Sequence, residues 1–254
     1  MFEVHVIASG SDGNCTVIQL DDEAVVIDAG LSYKKLHSLM SVEGVDEGCI
    51  KAMLITHEHN DHILGAGAMA RKLDIPMYCN LPTFDAFGHG SVSYRQIFTS
   101  RPFDLCGMRI TPLPTSHDAA EPNAFVFEAE DRNVLLATDT GRLTEPCQAA
   151  LQRADLAIIE SNYDLRMLKE GPYPYPLKQR IASDSGHMCN DATGNWIRTT
   201  ATARERKIFL AHLSRTNNEP DLARETVSRI SGIPRHKIDC LEFQGDTRYL
   251  SVSR

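Results

Sequence analysis

No stretch of the sequence stays apolar for the ~20 residues that a membrane-spanning helix requires. The opening "MFEVHVIASG" has no basic region followed by a long apolar run, so it reads as a first strand and not as a secretory signal. The cysteines number seven and include no C-x-x-C pair. An odd set without a secretory signal is expected to be free thiols in a reducing cytoplasm. Basic excess is absent as well: the formal net charge is −8. That argues against nonspecific coating of nucleic acid, while a local basic groove stays compatible with it. Low-complexity segments, linkers and tandem repeats are also missing. What is present is an ordinary globular composition, 42% hydrophobic and 24% charged over 254 residues, expected to form one mixed α/β domain spanning residues 1–254.

Short β-branched runs bounded by Gly, Asp and Asn predict strands at "FEVHVIA", "CTVIQL", "AVVIDAG" and "AMLIT", and later at "MRITPLPT", "AFVFEAE", "NVLLATDTG", "LAIIESN" and "KIFLAHLS". Helices are expected at "SYKKLHSLM" with Ser32 as N-cap, at "AGAMARKL", at "EPCQAALQ" after Pro146, at "DATGNWIRTTATAR" and at "DLARETVSRI". "GPYPYP" (171–176) is too proline-rich for either and reads as a loop or extended lid. Met69, Leu73 and Trp196 read as core, and His5, His37, His89 and His236 as ordinary packing or surface histidines.

Several apolar strands end on a residue able to bind metal: Asp28, His57, His117, Asp139 and His212. Sites in α/β sheets form where strands end. The densest group is "LITHEHNDHILGAG" (54–67). It is not the H-E-x-x-H motif, because Asp61 stands where the second histidine belongs. His57 and His59, two apart in an extended segment, point to one side. Asp61 and His62 turn elsewhere, so the spacing suits two metals better than one. His117 can complete the first site and His212 the second, with Asp139 as the natural bridge. These hard or borderline donors fit zinc, manganese or iron and do not fit copper or iron–sulfur clusters. Asp28 is expected to orient a ligating histidine or the neighbouring loop without ligating itself.

"THEHNDH" resembles the T-H-x-H-x-D-H signature of the metallo-β-lactamase superfamily, and "LLATDTG" resembles its aspartate motif. The likeness extends along nearly the whole chain to the YycJ (WalJ) family, through "ASGSDGNCT", "IDAGLSYKK", "ITHEHNDHILG", "IIESNYD", "YPLKQRIASDSGHMCN" and "HLSRTNNEP". The resemblance implies an αββα sandwich, two mixed β-sheets flanked by helices, with a dinuclear site at one edge. It also implies a nuclease that acts on DNA from the 5′ end.

Two metals can share one activated hydroxide. Asp61 can orient it or accept its proton, and His187, in "DSGHMCN", is the candidate to protonate the leaving group. The alternative is a small-molecule metallohydrolase: a thioesterase, lactonase or cyclic phosphodiesterase. Toward phosphate point the loop "SGSDGN", with Ser9, Ser11 and Asn14, and the segments that bring Asn162, Ser214 and Asn217 near the ligand ends. The short interval from Asp139 to His212 leaves no room for a large inserted domain. DNA would lie in a shallow groove or across a homo-oligomer. Its candidate contacts are Lys178, Arg180, Arg204, Arg206, Lys207 and Arg215, with Tyr173 or Tyr175 to stack on a base.

Overall fold

The computed structural model describes residues 1–202, 206–241 and 248–251. Among the described residues, two seven-stranded mixed sheets pack face to face. The first sheet takes the strands β1 (Phe2–Ala8), β2 (Cys15–Leu20), β3 (Glu23–Ile27), β4 (Ile50–Leu54), β5 (Met77–Cys79) and β6 (Tyr94–Gln96) in sequence order, with β14 (Arg248–Ser251) beside β1. The second runs in reverse order from β13 (Ile238–Cys240) through β12 (Lys207–Ala211), β11 (Leu156–Glu160), β10 (Arg132–Ala137), β9 (Asn123–Ala129) and β8 (Met108–Pro114) to β7 (Phe103–Leu105).

Alternation along the strands makes the layers. In β3, Val25 and Ile27 face the second sheet, where they meet Phe125, Phe127, Leu136 and Ile158. Ala24 and Val26 face outward, against Leu36 and Met40 of α1 (Tyr33–Glu43) and Met69. The outer face of the second sheet is covered by the helices Glu145–Arg153, Asn190–Thr199 and Pro220–Ser231, which contribute Leu151, Ile197 and Val227. The expected αββα sandwich is therefore present.

β3 and β4 run parallel, as do β10, β11 and β12. Their carboxyl ends consequently open on the same edge. Three residues at those ends, Asp28, Asp139 and His212, have left-handed backbone at φ 60°, 54° and 56°. Such positions are sparsely populated by non-glycine residues and concentrate at functional sites.

Two expectations change. Only the first four residues of "GPYPYP" are irregular; Tyr175–Ile181 is helical, with Pro176 in its first turn where a missing N–H costs nothing. The helix expected at "DATGNWIRTTATAR" begins at Asn190 and stops at Thr199. Thr199 and Thr200 turn their hydroxyls back onto the Asn195 and Trp196 carbonyls. No helix among the described residues is long and apolar enough to cross a membrane.

Candidate metal centre

The seven donors read from the sequence converge in two groups. His57, His59 and His117 form one; Asp61, His62, Asp139 and His212 form the other, each with its ligand atoms within 4.8 Å of one another. His59 Nδ1 lies 3.2 Å from His117 Nε2. Asp139 sits between the groups: Oδ2 is 3.1 Å from His62 Nε2, and Oδ1 is 3.4 Å from His212 Nε2 and 3.8 Å from His117 Nε2. Asp61 Oδ2 closes the second group at 3.4 Å from His212 Nε2.

A hydrogen-bonded shell decides which nitrogen of each ring points inward. Asp28 Oδ2 accepts from His62 Nδ1 at 2.7 Å and from Thr56 Oγ1 at 2.8 Å, while Oδ1 accepts from Thr56 N. With its proton committed to Asp28, Thr56 Oγ1 accepts from His57 Nδ1 at 3.0 Å. One carboxylate thus fixes two imidazoles with Nε2 turned to the centre, which is the orienting role expected of Asp28. His117 is held the same way by the Gly186 carbonyl, 3.0 Å from its Nδ1.

The fit to a cation rests on what is left over. Among the described residues, His57 Nε2 is buried without a hydrogen-bond partner, and Asp139 Oδ2 has none of good geometry, although His62 Nε2 lies 3.1 Å from it. Buried polar atoms are ordinarily paired, and here both face the other ligand atoms. Charge balance agrees. Burial and the neighbouring imidazoles hold the His57 pKa well below its usual value. Burial also opposes charge on His62 and His212, but Asp139 beside them prevails and raises both, His212 to about 10. The acid-rich half draws in positive charge, while the imidazole-rich half offers neutral lone pairs.

Sequence reasoning missed Glu160. This fully buried carboxylate ends β11 and joins His187 Nδ1 (2.7 Å) to His212 Nδ1 (3.1 Å) through Oε1. Its Oε2 accepts from the backbone N–H of Thr140 (2.8 Å), next to Asp139. The signal was available: "LAIIE" is an apolar strand ending on a carboxylate, the pattern that picked out Asp28 and Asp139. His187 stacks on His212 with ring centroids 5.2 Å apart. Burial lowers its pKa, Glu160 raises it, and the net direction is upward.

The centre floors a solvent-open cleft of about 390 Å³, lined by His187, Ser11, Asn162 and Ser214 among others. Three of the expected substrate contacts do not line it. Ser9 accepts the His212 N–H on its hydroxyl (3.0 Å), and Asn217 is fully buried against Ser214. Asn14 is turned inward: its Oδ1 takes the Gly10 N–H, and its amide reaches the Asp61 carbonyl (3.3 Å) and the His62 ring (3.0 Å). The "SGSDGN" loop is thus mainly a brace for the ligand loop. It packs there because Gly30 has no Cβ, which would collide with the Asp61 carbonyl.

The expected basic contacts separate too. Arg180 and Tyr173 line the cleft. Arg206 is buried and donates to the Leu151, Ile197 and Thr200 carbonyls. Lys207 begins β12, at the end opposite His212. Lys178 caps the Lys169 carbonyl, Arg215 pairs with Asp12, and Tyr175 is exposed outside the cleft lining. Arg204 lies outside the described residues.

A profile of the β-lactamase superfamily domain matches residues 23–213, and the chain belongs to that superfamily. Within it, the chain belongs with two exodeoxyribonucleases. It is 37% identical over 230 residues to exodeoxyribonuclease YycJ of Bacillus anthracis, covering 89% of this chain and 87% of that protein. It is 36% identical over 233 residues to exodeoxyribonuclease WalJ of Streptococcus pneumoniae, with the same coverage of each. The fold is shared with YhfI of Bacillus subtilis, a metallo-β-lactamase fold protein, at a TM-score of 0.74 over 98% of this chain and 99% of that one, with 18% identity.

Proposed function

We propose that the protein is a metal-dependent 5′-exonuclease that removes nucleotides from DNA. The observation that carries this reading is a pair of adjoining donor groups, with Asp139 of one 3.8 Å from His117 of the other, at the floor of an open cleft in a chain related over most of its length to exodeoxyribonucleases. His57, His59 and His117 would hold one divalent cation; Asp61, His62 and His212 would hold the other; Asp139 would serve both. The nitrogen and carboxylate donors suit zinc or manganese, with iron also compatible. When bound, such a pair supplies a nucleophile from water near neutral pH and offsets the charge that builds on an attacked phosphate.

The remaining tasks fall to this chain's side chains. Asp61, one quarter exposed toward the cleft, can accept a proton. His187 commits Nδ1 to Glu160 and presents its other ring nitrogen to the cleft, where a protonated imidazole can give its proton to a departing sugar oxygen. Ser11, Ser214 and Asn162 supply polar groups along the lining, although the Asn162 amide already braces the His212 carbonyl at 2.8 Å.

The test is a zinc- or manganese-loaded assay on 5′-labelled DNA, run beside a panel of thioesters, lactones and phosphodiesters. Release of nucleotides from DNA is expected. Brisk turnover of a thioester or lactone without nucleotide release would move the protein to small-molecule hydrolysis.

A further inference from the structure

A polyanionic strand must enter a cleft whose lining carries three carboxylates, those of Asp61, Asp118 and Asp139, beside four histidines. Among the described residues that line it, Arg180 is the sole arginine, and no lysine joins it. Arg180 sits in the last turn of the helix Tyr175–Ile181. Its Nε donates to Asp118 Oδ2 at 2.6 Å, and Asp118 follows the donor His117 in the chain. Among the described residues, the two terminal nitrogens of the guanidinium find no hydrogen-bond acceptor. One edge of a planar fork is therefore anchored, and the other is left to solvent at the cleft.

The segment carrying Arg180 is fixed at several points. Ser116 Oγ donates to the Asp184 carbonyl at 2.8 Å, and the Ser116 carbonyl accepts from Gly141 N at 2.9 Å. A Cβ on Gly141 would strike the carbonyls of Ser183 and Asp184. The wall thus packs directly on the loop after Asp139. Tyr173 enters the same lining just ahead of the helix.

We propose that Arg180, held in place by Asp118, binds a non-scissile phosphate next to the bond being cut, with Tyr173 packing on the adjoining base. This rests on the nuclease reading above. An arginine anchored by a carboxylate on one edge is preorganised, so less side-chain freedom is lost when phosphate docks on the other. Tyr173 provides a sequence-tolerant stacking face.

The experiment compares wild type, Arg180→Met and Arg180→Lys on a 5′-phosphorylated oligonucleotide and on bis(p-nitrophenyl) phosphate, which has no neighbouring phosphate. Metal content is measured throughout. For Arg180→Met, KM for the oligonucleotide should rise at least about tenfold more than KM for the small diester, and the salt slope of oligonucleotide binding should fall by about one. Arg180→Lys should recover part of the loss, since charge returns without the fork. Equal losses on both substrates, or an unchanged oligonucleotide KM and salt slope, would overturn the assignment. Nuclease activity indifferent to Arg180 removes only this proposal. A wild-type protein that cleaves the small diester and no oligonucleotide removes the nuclease reading and this proposal with it.

Discussion

Glu160 Oε1 lies 2.7 Å from His187 Nδ1, and from the same position it reaches the Nδ1 of His212 at 3.1 Å. One buried carboxylate thereby orients both a donor imidazole and the imidazole facing the substrate side. If His187 protonates the leaving oxygen, His187→Ala should keep its fold and metals and lose about 10²–10⁴-fold in turnover. The loss should shrink for a nitrophenolate leaving group, which needs no proton. Glu160→Gln should behave differently, lowering turnover and metal content together because Glu160 also braces His212 and Thr140. Equal losses for His187→Ala on good and poor leaving groups would assign His187 a structural role.

Metal content follows from the two donor groups. Purified, fully loaded protein should carry close to two divalent ions per chain by elemental analysis. Asp139→Asn tolerates the left-handed backbone and removes the charge that faces both groups, so occupancy of both should fall. His117→Ala should empty mainly one. Chelation should lower the melting temperature, since an ion that binds only the folded state stabilises it by mass action. A single ion at saturation, or full occupancy in Asp139→Asn, would remove the dinuclear arrangement.

Asp28 tests the shell behind the donors. Asp28→Asn preserves shape and a left-handed residue while weakening the acceptor that sets the His62 and, through Thr56, the His57 tautomers. Metal affinity should drop about 10–100-fold, measured by competition with a chromophoric chelator. Circular dichroism should remain that of the folded protein. Unchanged affinity would mean that the rings hold their orientation without Asp28.

His57, His117, Asp139 and His212 are legible because each stands at the end of an apolar run, where a packed sheet has no other use for an imidazole or a carboxylate, and His59, Asp61 and His62 because they crowd beside the first of them. Parallel pairing then brings those ends to one edge. Glu160 carries the same signal, an apolar strand ending on a carboxylate. Ser9, Asn14 and Asn217 show the opposite limit. Small polar residues beside donors are as useful for satisfying a strained loop's backbone as for touching substrate, and residue type does not separate the two. The basic residues are illegible for a related reason: burial of Arg206 depends on the carbonyls of Ile197 and Thr200, just before it in the chain, and on that of Leu151, 55 residues away, and only the fold brings the two helix ends together.

Arg206 therefore belongs to stability and not to binding. Arg206→Met should leave the carbonyls of Leu151, Ile197 and Thr200 without their donor, and buried acceptors left unpaired cost about 1–3 kcal/mol each. A loss of roughly 2–4 kcal/mol in urea unfolding is expected, because partial rehydration relieves some of that cost. The salt slope of DNA binding should not change. A weakened slope with full stability would return Arg206 to the nucleic-acid contacts.

End recognition is the most exposed part of the proposed activity. The wall formed by Tyr173, Leu177, Arg180 and Ile181 lines one side of the cleft and is tied to the His117 loop through Asp118. A strand that terminates against this wall can place its end at the donors, whereas a continuous strand would need a groove open at both ends. Linear DNA should accordingly lose nucleotides stepwise, faster with a 5′-phosphate than with a 5′-hydroxyl, because the terminal phosphate offers the cleft additional charge and acceptor oxygens. Closed single-stranded circles of the same sequence should resist under conditions that consume the linear form. Denaturing gels of both substrates over one time course make the comparison, and rapid cutting of the circles would show that the wall does not select ends.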